Sequence, residues 1–272
     1  MHELLNPVIE PSTRWRLKRE AKAYWSYLTS GSAPSKKVLI WAQGRTGSTV
    51  FENLLASTGY FSQTGELLSR EYDNVKVRYP IAFLKGTSRF APHENFVCHV
   101  KIYQLLEDRK RQGCAPVEPA EFLQSLKEDG WQFVYVRRRD KFQHFLSGEL
   151  AKARGAYHKF DAQPEDFTIR LERDRIETAI ARRNRWDQRE QAALENIEYF
   201  PVVYEDNLSS VEAQKETIRR VLEFLDLPYR EPKTRMKKIN SRGPHEIIEN
   251  YAEVQDWLKE LSASPLTSAD AE

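Results

Sequence analysis

Residues 41–49, WAQGRTGST, combine two glycines, three hydroxyls and an arginine in an order suited to wrapping an anion. Gly44 and Gly47 permit close approach of the backbone. Thr46, Ser48 and Thr49 add hydroxyl donors, and Arg45 offers a planar fork of positive charge. An apolar run precedes the segment and a helical pattern follows it, so free N–H groups and the positive end of a helix dipole would face the bound group. The implied chemistry is the holding of a phosphate-like or sulfate-like group. Ser48 and Thr49 equally suit the capping of an ordinary strand-to-helix turn.

The loop differs from the ATP and GTP loop G-x-x-x-x-G-K-[ST] in a specific way. With Gly47 aligned on the second glycine, Ala42 stands at the first glycine and Ser48 at the lysine. The lysine that reaches the β/γ-phosphates is therefore missing. No acid at a strand end is an evident Mg²⁺ ligand, Asp206 after VVYE being the candidate. A kinase or NTPase with a degenerate loop is the alternative reading.

The elements that must position the loop follow from hydrophobic spacing. The run 38–42 (VLIWA) has the pattern of a strand buried on both faces. From Ser48 the spacing turns helical, with Phe51, Leu54 and Leu55 on one face and Gly59 as the cap. Further strands are expected at 96–102, 132–137 and 198–204, with helices near 104–111 and 119–128. Asp140 can cap a helix that buries Phe142, Phe145, Leu146 and Leu150; a long charged helix spans 167–195. Ile218, Val221, Leu222 and Leu225 mark another, ended by Leu227-Pro228. This alternation predicts an α/β fold with a P-loop-like central parallel sheet flanked by helices on both faces. Residues 1–35, with a helix at 12–29, form an N-terminal appendage; 36–261 form the main domain, and 262–272 a small, polar, disordered tail.

A chain of 272 residues is long enough to bury a sizeable core. Its 42 basic and 40 acidic residues leave a net charge of +2, without the basic excess of a dedicated nucleic-acid binder. No apolar stretch reaches the roughly 18 residues of a membrane span, and the N-terminus lacks a basic and an apolar signal region, which places the chain in the cytoplasm. Cys98 and Cys114 form no CxxC and the histidines no HExxH, so no metal is expected.

Strand-GRTGST-helix resembles the 5′-phosphosulfate loop of sulfotransferases that use 3′-phosphoadenosine 5′-phosphosulfate (PAPS), closest to the bacterial carbohydrate enzymes of the nodulation-factor and trehalose-lipid type. Other segments agree in order. GYFSQTGELL, at 59–68, resembles the acceptor-side loop with its Gly-Glu; FVYVRRRDKFQHFLSGELAKA resembles the 3′-phosphate segment. Tyr204-Glu205-Asp206 ahead of VLEFLDLP resembles the Tyr-Glu-Asp-Leu segment, and KKINSR with ENYAEV the C-terminal region, so the resemblance covers 38–257. Asn207 replaces the usual Leu, and Arg45 stands where many cytosolic relatives carry Lys, as is common in the bacterial branch.

The resemblance implies that PAPS is the co-substrate and that the domain is a sulfotransferase domain needing no metal. Gly44, Arg45, Thr46, Gly47, Ser48 and Thr49 would hold the 5′-phosphosulfate, with Arg45 on the sulfuryl group and its bridging oxygen. Arg139 and Ser147 are implied for the 3′-phosphate, although eight residues of helix rise about 12 Å and spacing alone does not unite them. Lys238 and Arg242, in a basic run that otherwise reads as a solvated face, are further candidates. Arg137 and Arg138 fit a solvated strand end. Glu66, at the Gly-Glu position, is the candidate base for an acceptor hydroxyl; its other reading is a helix N-terminal acid. His99, in FVCHVKIY, is the alternative base or a satisfied core histidine. The expected partner is a small-molecule or glycan acceptor, with no nucleic acid, no membrane span, and a homodimer left open. A protein that only binds an anion is the third reading.

Overall fold

The structure, a computed structural model, describes residues 11–29, 34–69, 77–90, 94–153, 167–233 and 242–263. The elements begin with α1 (Pro11–Leu28), β1 (Lys36–Ala42), α2 (Ser48–Ser57), β2 (Phe61–Glu66), α3 (Pro80–Ser88), β3 (Asn95–Val100), α4 (Ile102–Leu105), α5 (Glu107–Arg111) and α6 (Pro119–Glu128). They continue with β4 (Trp131–Arg137), α7 (Lys141–Ala153), α8 (Arg173–Ala193), β5 (Tyr199–Val203), α9 (Tyr204–Asn207), α10 (Val211–Phe224), α11 (Pro244–Ile247) and α12 (Tyr251–Ala263). The chain divides into two compact units, 1–137 with 189–234, and 138–188 with 235–272.

The first unit holds a five-stranded sheet in the order β2-β3-β1-β4-β5, with every pair parallel. β1 lies at its centre because its last five residues, Val38 to Ala42, are apolar and are buried on both faces. Val38, Ile40 and Ala42 pack with Phe51, Leu54 and Leu55 of α2 and with Ile218, Val221 and Leu222 of α10. Leu39 and Trp41 alternate to the other face, where the Trp41 ring lies 6.5 Å from Phe122 of α6. Helices therefore cover both faces, as the strand–helix alternation predicts.

The departures lie where the sequence is polar. β2 replaces the expected acceptor-side loop, because FSQTGE at a sheet edge needs no continuous apolar run. Glu66 accordingly ends a strand and does not begin a helix. The helix expected at 104–111 is two short ones, α4 and α5, broken at Leu106. α3 docks on α1 with its Gly86 so close to the Ala23 carbonyl that an added Cβ would lie 1.8 Å from that oxygen.

In the second unit, Phe142, Phe145, Leu146 and Leu150 of α7 pack with Ile176 and Ala179 of α8, Ile247 of α11 and Val254 of α12. Asp140 caps α7, its Oδ1 accepting from the Gln143 N–H at 2.8 Å. Asn250 ties down the approach to α8, accepting from the Leu171 N–H and donating to the Leu171 carbonyl. α12 runs to Ala263, past the start of the expected tail; the remainder of that tail lies outside the described residues. No helix among the described residues is long and apolar enough to cross a membrane.

Gly86→Ala should force α1 and α3 apart and lower stability by about 1–3 kcal/mol, the scale of overpacking; denaturant unfolding of the variant measures it. An unchanged midpoint would exclude the close approach.

Candidate functional site

The loop between β1 and α2 has a left-handed backbone at two positions, Arg45 (φ 71°) and Gly47 (φ 94°). The second demands glycine for a steric reason as well, since a Cβ there would meet Tyr204 Cδ2 at 2.8 Å. Gly47 is the N-cap of α2 and brings no capping side chain, so Ser48 and Thr49 lie inside the first turn and are not its caps. The helix thus opens toward the loop with its N-terminal amides uncovered by a capping side chain, the arrangement that favours an anion. Below the loop, the Thr46 hydroxyl donates to the Gln43 carbonyl at 2.8 Å. Gln43 Nε2 and the Tyr135 hydroxyl both donate to Oε2 of the fully buried Glu190, at 3.3 and 3.1 Å. The base of the loop is therefore anchored to β4 and to the end of α8.

Beside the loop, side chains from α2, β2 and the end of β3 form a row of ionisable groups. His99, 2% exposed, places Nδ1 3.0 Å from Glu52 Oε2 and Nε2 3.3 Å from Glu66 Oε1. Both contacts are of ion-pair length, and the ring is charged in them only when protonated. Both ring nitrogens face carboxyl oxygens, and only the imidazolium can present two N–H groups. Lys101 Nζ contacts the same Glu66 Oε1. Gln104 donates to Glu66 Oε2 at 3.0 Å and accepts from the Lys101 N–H at 2.9 Å.

Burial opposes the ionisation of Glu66, but His99 and Lys101 overcome it and bring the carboxyl pKa down to about 2. Burial likewise opposes the charge on His99, and the Glu52 and Glu66 carboxylates raise its pKa above the ordinary value. Lys101 is also raised against its burial, by Tyr103 and Glu66. The row reaches the loop directly: a Cβ on Gly44 would stand 2.8 Å from the Tyr103 hydroxyl and 3.4 Å from Lys101 Nζ.

The structure thus joins Glu66 and His99, the two candidate bases, in one array with the residue 44 end of the loop. Lys101 and Tyr103 are functional candidates that sequence reasoning missed. The signal was present: Lys101 follows a buried strand on the carboxyl side of the sheet, where ligands of parallel sheets bind. Glu52 was missed because it sits at the edge of the helical stripe marked by Phe51, Leu54 and Leu55, where a charge reads as solvated.

Arg139 is exposed after β4, and Ser147 is half-buried on α7. Arg242 donates to the carbonyls of Phe167 and Glu246 within the second unit. Lys238 lies outside the described residues. Asn207 turns back on the end of β5, its Oδ1 accepting from the Val203 N–H at 2.6 Å, a bond that leucine could not make. Asp206 is exposed, and among the described residues no group of three or more His, Cys, Asp or Glu side chains is placed to hold a metal ion. No protein-family model matches the chain, and no curated protein matches its sequence.

The row makes stability depend on pH at both ends. Glu66 is depressed from 4.5, so its contribution is complete above that value and lost as pH falls toward about 2. His99 is raised from 6.5, so its contribution is complete below that value and lost as pH climbs through the folded pKa. In urea unfolding, Glu66→Gln should flatten the fall in stability between pH 4.5 and about 2. An equally steep fall in the variant would remove Glu66 from the row.

Proposed function

We propose that the protein is a cytoplasmic sulfotransferase that transfers a sulfuryl group from PAPS to a hydroxyl of a carbohydrate or glycolipid-like acceptor. The observation that carries this reading is an ionised carboxylate, Glu66, sharing a lysine with a glycine loop at a helix N-terminus. The resemblance of the loop, the Gly-Glu segment and the Arg-to-Ser segment supports the choice of donor. The cradle suits an anionic group, since the N-terminus of α2 carries no capping side chain and Arg45 and Lys101 supply charge.

PAPS supplies, when bound, a sulfuryl group on a phosphate leaving group. The loop amides and Arg45 neutralise the charge that grows on the bridging oxygen as the S–O bond breaks. Arg45 keeps its proton, so its part is electrostatic. Glu66 takes the proton of the acceptor hydroxyl while the new O–S bond forms, and the electron pair of the broken bond leaves with adenosine 3′,5′-bisphosphate. His99 has no lone pair to offer between two carboxylates, which favours Glu66 as the base. With a pKa of about 2, Glu66 is a weak base while Lys101 holds it, so the Lys101 contact must loosen before the proton moves. The loop anion is the alternative partner for that lysine. Arg139, Ser147, Lys238 and Arg242 keep the 3′-phosphate assignment that the resemblance implies.

Lys101 also supports the second reading, a kinase or NTPase. It supplies from a strand end the positive charge that the loop lacks for an ATP phosphate.

Calorimetric titration with adenosine 3′,5′-bisphosphate in EDTA, with ATP and Mg²⁺ as competitor, separates the two readings. Binding that depends on the 3′-phosphate is expected; binding of ATP alone, or none, overturns the sulfotransferase reading. Arg139→Ala should weaken adenosine 3′,5′-bisphosphate far more than adenosine 5′-phosphate, and equal losses would dissociate Arg139 from the 3′-phosphate. Glu66→Gln should leave nucleotide affinity intact and slow transfer roughly 10²-fold or more, the scale of a lost general base; unchanged transfer would exclude Glu66 as the base.

A further inference from the structure

We propose that Glu52 is the positioning residue of this site: one carboxyl oxygen pins the strand bulge that carries Glu66, and the other pins the imidazole that Glu66 faces. The inference rests on Glu66 being the proton acceptor. Glu52 is itself fully buried, so it touches neither donor nor acceptor and acts only through its neighbours.

The first half of the device is a backbone one. β2 and β3 pair Gln63 with Val97 and then Glu66 with His99, so three residues of β2 advance against two of β3. The extra residue makes a bulge at Thr64 and Gly65, and a bulge re-aims the side chains that follow it. Gly65 there adopts φ 68°. Glu52 Oε1 accepts from the Thr64 N–H at 3.0 Å and the Gly65 N–H at 2.7 Å, which gives the two bulge amides a partner. The Thr64 hydroxyl turns inward to the Val97 carbonyl and holds the bulge against β3. Glu66 then meets His99 because the bulge has shifted the register by one residue.

The second half is ionic. Glu52 Oε2, 3.0 Å from His99 Nδ1, faces the ring on the side opposite its contact with Glu66. The charged and titratable groups around the imidazole are Glu52 from α2, Glu66 from β2, and Lys101 and Tyr103 beyond β3; Arg19 of α1 acts on the neighbouring Cys98. Two carboxylates, an imidazolium and an ammonium balance. Without the charge of Glu52, the imidazole loses the reason to hold its second proton, and Glu66 loses one of its two cationic neighbours.

Glu52→Gln tests this with little change of shape, because the amide oxygen can still accept from Thr64 and Gly65 while the amide nitrogen faces His99 Nδ1. In ¹⁵N NMR at neutral pH, His99 should be doubly protonated in the native protein and singly protonated in the variant. Transfer should fall by about 10- to 100-fold through kcat, with acceptor KM nearly unchanged. The acid limb of its pH profile should move up toward the ordinary carboxylate range. Glu52→Ala, which also strips the bulge amides of their partner, should be slower still; if it does not fold, Glu52→Gln alone decides. An unchanged His99 titration, or an unshifted acid limb, overturns the proposal. Failure of the native protein to bind adenosine 3′,5′-bisphosphate overturns the sulfotransferase reading instead, and the NMR result then still decides whether Glu52 holds His99.

Discussion

An ionisable group taken out of water keeps its charge only where an opposite charge or hydrogen-bond partners replace its hydration, and at the end of β3 two carboxylates and two cations meet that requirement in one row. Glu52 has two backbone donors and the His99 ring, His99 two carboxylates, Glu66 two cations and an amide, and Lys101 the shared oxygen of Glu66. The consequences run outward. α2 must present Glu52 to the sheet, β2 must bulge, and the chain after β3 must turn at once into α4 so that Gln104 can reach back. The glycine loop starts from the adjacent strand β1, so the geometry of the row and that of the loop are set by the same backbone.

β1 and β4 were legible because a strand buried on both faces writes itself as an unbroken apolar run, and the loop was legible because its glycines and hydroxyls sit between that run and a helical period. β2 was not, since an edge strand can be polar, and its bulge destroys the alternation that would have betrayed it. α12 escaped for a similar reason: among its helical positions only Val254 is fully buried, which is a thin signal.

The site was legible in parts and hidden in its connections. Glu66 and His99 stood out as separate candidates for one role, 33 residues apart. What joins them is a strand register that depends on a one-residue irregularity, and no local pattern encodes it. Glu52 was hidden for the opposite reason, because its position is locally ordinary and only its partners, from another strand and another loop, give it a task. Arg45 stands between two glycines of the loop, but its left-handed backbone, which fixes the direction in which its side chain departs, is a property of the fold.

The two outer strands carry one more consequence. Among the described residues β2 and β5 are the edges of the sheet, and an open parallel edge invites a strand from another molecule. β2 is spoiled for that purpose by the bulge at Thr64 and Gly65, and β5 carries Pro201, which has no N–H to donate, opposite Tyr135. The irregularity that aims an acid therefore also guards against aggregation, and any pairing of two copies would be steered away from a continuous sheet toward contact through helices.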